Sequence, residues 1–133
     1  MYLVAKNISF SYGHRLLKHK GKCARLHGHN AVAEIHCASS KLNANAMVVD
    51  FDDIKKALKT WIEDTLDHRM ILNRADVLAP MLKKIREPFY EMNGEPTAEA
   101  IAKLIFDRAH QKGLPVTKVV LWETSNSCAV YSR

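Results

Sequence analysis

Two stretches near the N-terminus alternate apolar and polar residues with a period of two, and a later stretch switches to a period of 3.6. Tyr2–Phe10 (YLVAKNISF) and Asn30–Ala38 (NAVAEIHCA) carry the first pattern, which sends every second side chain to one face of a strand. Ile54, Ala57, Leu58, Trp61 and Ile62 carry the second. Their spacing lines one stripe of an amphipathic helix, with Asp50, Asp52 or Asp53 available at its N-terminus. Met47–Phe51 (MVVDF), short and β-branched, is expected to be a strand. A second helix is predicted to start at Thr97 as N-cap, with Glu99 in its positive first turn. It buries Ile101, Leu104, Ile105 and Ala109 and stops before Gly113 and Pro115. Thr117–Glu123 and Ala129–Tyr131 read as closing strands. Arg69–Pro96 is the least legible stretch, with a short helix expected over Val77–Ile85. Paired strands with helices grouped between them predict an α+β fold built on an antiparallel sheet.

A chain of 133 residues is long enough to bury a core and is read as one domain, 1–133. With 47% hydrophobic and 26% charged residues, it belongs among globular rather than disordered sequences. No run approaches the roughly 20 apolar residues of a membrane helix. The opening MYLVAKNISFSY has neither a charged n-region nor an apolar h-region, so no signal peptide is expected. The three cysteines, Cys23, Cys37 and Cys128, are odd in number and scattered, which argues against a disulfide framework and for the cytoplasm. The net charge is +6, and no Asp or Glu occurs before Glu34. Lys6, Arg15, Lys18, Lys20, Lys22 and Arg25 fill that acid-free segment. An anionic ligand, a phosphorylated small molecule or a nucleic acid, would suit it; so would a solvated basic loop with no ligand.

The densest chemistry sits inside this segment, in Lys22–Asn30 (KCARLHGHN). If Cys23–His29 runs extended, Cys23, His27 and His29 project from one face. His14 could join His27 and His29 across a hairpin. Three neutral imidazoles with an open fourth position form the ligand pattern of a catalytic zinc site. Cys23 either closes that site as a fourth ligand or works beside it. In TLDHRMILN, Asp67 precedes His68, and a carboxylate next to an imidazole can fix its tautomer; the same pair also serves as an ordinary helix-end cap. Glu123 ends the apolar run VVLWE and is either an exposed strand terminus or an acceptor facing a pocket. His19, His36, His110, Cys37 and Cys128 have no partners at useful spacing.

Together these segments resemble the 6-pyruvoyltetrahydropterin synthase family, including the bacterial 6-carboxytetrahydropterin synthases of queuosine biosynthesis. FSYGHRL is similar to the family's Phe-Ser-x-x-His start, and CARLHGHN to its Cys-x-x-x-His-Gly-His-Asn signature. MVVDFDDIK, LDHRMILN, EPTAEAIA and VVLWETSNSCAVY follow in the family's order. The resemblance implies a T-fold, a four-stranded antiparallel sheet with two helices on one face, which trimerises into a barrel and pairs into a hexamer. It implies zinc on His14, His27 and His29, with Cys23 as catalytic base and Asp67 and His68 completing the triad across a subunit interface. Glu123 would anchor the amino-pyrimidine edge of the pterin, and Thr97 would line the same pocket. The implied substrate is 7,8-dihydroneopterin triphosphate, and Lys18, Lys20, Lys22 and Arg25 are candidates, by charge, for its triphosphate.

Several positions depart from the family pattern. Tyr12 and Gly13 replace a small pair before the first histidine, and Ala31 replaces an aromatic residue common after His-Gly-His-Asn. Ala46 stands where glycine is usual, and Ala100 where asparagine is common. No implied ligand or triad member is lost. The leading expectation is a zinc-dependent lyase forming 6-carboxytetrahydropterin, with the pyruvoyl-pterin as the alternative product. A non-enzymatic nucleic-acid-binding domain with a structural zinc is the rival of another class. It is disfavoured because no aromatics interleave with the basic residues and no zinc-finger spacing is present.

Overall fold

The computed structural model describes residues 1–133. Strands β1 (Tyr2–His14) and β2 (His27–Ser39) pair antiparallel over their full length, so that Tyr12 faces His29 and His14 faces His27. A short 3-10 turn, Lys22–Ala24, lies in the loop between them. Helix α1 (Phe51–Thr65) follows, then β3 (Arg69–Asn73), α2 (Leu78–Lys84), β4 (Phe89–Met92), α3 (Ala98–Gln111), β5 (Val116–Thr124) and β6 (Ser127–Ser132). The sheet order is β4-β3-β1-β2-β5-β6.

Strands β1, β2, β5 and β6 form the expected antiparallel four. Two further strands extend the sheet: β3 pairs parallel with the last residues of β1, and β4 pairs parallel with β3. The sheet therefore has six strands rather than the four of the resemblance, and α2 is the short helix expected over Val77–Ile85, added to the two that the resemblance implied. Both added strands are too short for alternation to show in sequence, and their pairing is long-range. Met47–Phe51 is not a strand. Ala46 takes φ 60°, and the chain turns there around Asn43, whose Oδ1 accepts from the Met47 amide at 3.1 Å. Val48 and Val49 still pack against the core, so their β-branched character serves packing rather than pairing.

Helix α1 starts where Asp50 accepts from the Asp52 amide at 2.8 Å, and it buries Ile54, Leu58 and Ile62. Helix α3 starts at Thr97, whose hydroxyl accepts from the Ala100 amide at 3.2 Å. It buries Ile101, Ile105, Phe106 and Ala109 and stops before Gly113, which takes a left-handed φ of 80° that favours glycine. Both helices cover one face of the sheet, against Ile8, Phe10, Ala31, Ala33, Ile35 and Leu121. The alternation that buries these residues also directs Tyr12, His14, His27 and His29 to the helix-covered face, at the end of the β1–β2 ladder.

Candidate functional site

The three histidines converge. His14 is 3% exposed and its Nε2 lies 3.2 Å from Nε2 of His29, with all three ligand nitrogens within 4.8 Å of one another. For metal–nitrogen bonds of about 2.0–2.1 Å, a tetrahedral edge is about 3.3–3.4 Å, so the His14–His29 separation suits a shared ion. Two of the other ring nitrogens are already engaged. Nδ1 of His14 is 2.7 Å from the Pro96 carbonyl, and Nδ1 of His27 is 2.7 Å from the Arg25 carbonyl. An Nδ1–H donated to a carbonyl leaves the Nε2 lone pair for a metal. Burial lowers the pKa of His14, which favours the neutral ring that ligation requires. The donor set therefore fits zinc.

Glu123 reaches the same place. Glu123 shares the parity of Val119 and Leu121, which β5 buries on the helix-covered face, so strand alternation points it toward the histidines. Glu123 Oε2 lies 3.0 Å from Nε2 of His29 and 3.4 Å from Nε2 of His14. It also accepts from the Tyr12 hydroxyl at 2.7 Å. Tyr12 is buried between Phe10 and the rings of His14 and His29, and burial first, then Glu123, pushes its phenol pKa far up, so it stays a donor. The sequence reading noticed Tyr12 only as a departure; its parity with His14 was the signal that it shares the site.

Asp67 and His68 sit at the end of α1, with His68 at a left-handed φ of 58°. Asp67 Oδ1 accepts from the Ser11 amide at 2.8 Å and lies 2.9 Å from His68 Nδ1. Burial alone would raise the Asp67 carboxyl, but the Ser11 amide and His68 hold it below the usual range. Tied in this way, His68 keeps Nε2 free, and its side chain is 81% exposed. A cavity of about 580 Å³ is lined by His27, His29 and His68 together, with Arg69 and Glu87, which sequence reading had not singled out.

Cys23 is placed differently from expectation. The segment before His27 is not extended; Cys23 lies in the 3-10 turn and is half-buried, and the cavity lining does not include it. No hydrogen bond joins it to Asp67 or His68 within one chain. Thr97 spends its hydroxyl on capping α3. Lys18, Lys20, Lys22 and Arg25 are all exposed in the β1–β2 loop.

The profile of the 6-pyruvoyl tetrahydropterin synthase family matches residues 3–133. A curated relative from Aquifex aeolicus, named 6-carboxy-5,6,7,8-tetrahydropterin synthase, is 38% identical over 96% of this chain and 88% of its own. One from Haemophilus influenzae with the same name is 34% identical over the whole of both chains. Among solved structures, an uncharacterized protein from Wolinella succinogenes superposes with a TM-score of 0.82 at 26% identity, covering 99% of this chain and 98% of that one. The 6-pyruvoyl tetrahydropterin synthase of Caenorhabditis elegans superposes at 0.74 with 23% identity, covering 99% and 95%, and so shares the T-fold. The chain belongs to the 6-pyruvoyl tetrahydropterin synthase family and is a lyase-type enzyme of it.

Proposed function

We propose that this enzyme is a zinc-dependent 6-carboxy-5,6,7,8-tetrahydropterin synthase. It converts 7,8-dihydroneopterin triphosphate to the carboxy-pterin, releasing triphosphate and acetaldehyde, in the cytoplasmic route to queuosine. The observation that carries this reading is the convergence of His14, His27 and His29, with Glu123 beside them, in a chain whose full-length relatives bear that name.

The roles divide by chemistry. Zinc held by the three imidazoles would polarise the substrate's side-chain oxygens and make protons on the adjoining carbons removable. Glu123 accepts N–H donors from the amino-pyrimidine edge of the pterin, and Tyr12 keeps its carboxylate oriented. Thr97 lines the same pocket. Cys23 takes the carbon-bound proton. His68, with Asp67 on Nδ1, relays protons through its free Nε2. Lys18, Lys20, Lys22 and Arg25 neutralise the triphosphate. On the family resemblance, Cys23 of one subunit joins Asp67 and His68 of another, in a hexamer built as a dimer of trimers.

Incubation of zinc-loaded enzyme with dihydroneopterin triphosphate, followed by mass analysis, tests the reading. Carboxy-pterin with an equivalent of acetaldehyde is expected. Pyruvoyl-pterin without acetaldehyde would reassign the product, and absence of turnover would overturn the function.

A further inference from the structure

Of the three histidines, His27 has its Nδ1 held locally, by a carbonyl two residues away. His14 depends on a distant one. Its Nδ1 partner is the Pro96 carbonyl, 82 positions along the chain and buried. Proline has no N–H, so this carbonyl cannot be located through an amide bond of its own residue. Its neighbours must hold it.

They do so from both sides. Thr97 is fixed as the cap of α3, and its amide donates to the Glu95 carbonyl at 2.9 Å. The Glu95 side chain accepts, through Oε1, from the Asn73 amide group at 2.9 Å. Asn73 ends β3, is 9% exposed, and has its own Oδ1 engaged by the Ala75 amide at 3.0 Å. The same corner grips His14 by a second route. The Asn73 carbonyl accepts from the Asp76 amide at 2.8 Å, and the Asp76 carboxylate binds the guanidinium of Arg15, the residue next to His14. Two segments singled out in the sequence, LDHRMILN and EPTAEAIA, thus meet through Asn73 and Glu95 behind the first histidine.

We propose that Asn73 and Glu95 are positioning residues for His14. They hold the Pro96 carbonyl where it accepts a hydrogen bond from Nδ1–H, leaving the Nε2 lone pair aimed at the space shared with His27 and His29. This rests on reading those three histidines as ligands of a divalent cation. Without the Asn73–Glu95 bond the turn relaxes, the His14 proton redistributes between its nitrogens, and a metal must restore the lost order on binding.

Two measurements test this. In the metal-free wild type, nitrogen NMR of the His14 imidazole should show the proton on Nδ1, and Asn73→Leu should mix the tautomers. Zinc affinity, by competition with a chromophoric chelator, should fall about 10- to 100-fold in Asn73→Leu and Glu95→Leu, the usual effect of removing outer-shell support. Glu95→Gln retains an acceptor for Asn73 and should stay within about threefold of wild type. A proton residing on Nε2 in the wild type would overturn the proposal, as would wild-type zinc affinity in both leucine variants. If Asn73→Leu does not fold, Glu95→Leu and the wild-type spectrum decide. Absence of zinc binding by the wild type would sink the metal reading itself, while the metal-free tautomer still tests the clamp.

Discussion

The hydroxyl of Tyr12 donates to Glu123 at 2.7 Å, joining the end of β1 to the end of β5 beside the rings of His14 and His29. Tyr12→Phe keeps the ring packing and removes that donor. The expected loss in pterin affinity is about 1.5 kcal/mol, the lower end for a hydrogen bond to a charged group and about tenfold in the dissociation constant. Zinc content should be unchanged. In a Glu123→Gln background the same change should have little further effect. Equal losses in both backgrounds would mean that Tyr12 acts through packing alone.

Cys23 and His27 lie four residues apart and should behave oppositely. His27→Ala removes an imidazole from the converging set and should strip the ion. Cys23, in the 3-10 turn, should be dispensable for the metal, so Cys23→Ala keeps near-stoichiometric zinc and its melting temperature while losing most turnover. Metal analysis of the two purified variants checks this, and a zinc-free Cys23→Ala would make the thiolate a ligand.

Arg15, next to His14, forms a bidentate ion pair with the buried Asp76. Asp76 has a side chain with 0% exposure, and the Arg15 guanidinium holds its carboxyl below the usual range. Asp76→Asn should destabilise the protein by about 2–3 kcal/mol at neutral pH. This is less than the 3–5 kcal/mol seen for fully enclosed pairs because the Arg15 side chain is 24% exposed. A carboxyl depressed in the folded state stabilises above its unfolded value of about 3.9, and that contribution fades as pH falls through the folded value. The gap between wild type and Asp76→Asn should therefore close below about pH 4. Urea midpoints measured against pH would show it.

Ala46 at φ 60° occupies backbone space that glycine enters freely. An alanine there is strained by about 1–2 kcal/mol, while glycine gives back about 0.4–1 kcal/mol through its freer unfolded chain. Ala46→Gly should raise stability by about 0.5 kcal/mol, readable as a small increase in the urea midpoint. A decrease would mean that the Asn43 turn already relieves the strain.

The outer edges of β4 and β6 carry no strand partner within one chain, and unpaired edges are normally covered or joined. Light scattering should report a trimer or hexamer. A stable monomer at micromolar concentration would exclude a triad shared between subunits.

The features legible in sequence were those whose causes are local. Asp50 and Thr97 announce helix starts because a cap acts within three residues, and His27 and His29 share a face because strands alternate. What stayed hidden depends on distant partners. β3 is defined by lying beside Tyr12–His14, and β4 by lying beside β3. Glu123 was legible as a carboxylate at a strand end, but its contact with Tyr12, 111 positions away, depends on how β1, β2 and β5 are ordered in the sheet. Nothing around Asn73 or Asp76 marks them as supports for His14, since Glu95 and Arg15 lie far from them in the chain.

The long β1–β2 ladder has one more consequence. Its connection, Arg15–Leu26, is too long to set the register as a tight turn would. A slip of one residue would carry His27 and His29 to the uncovered side of the sheet and leave His14 alone among the helices. The same slip would turn Ala31, Ala33 and Ile35 out of the core, so the native register of the core and the gathering of the three imidazoles stand or fall together. With the proposed ligand set, zinc binding would therefore also report that β1 and β2 are paired in their native register.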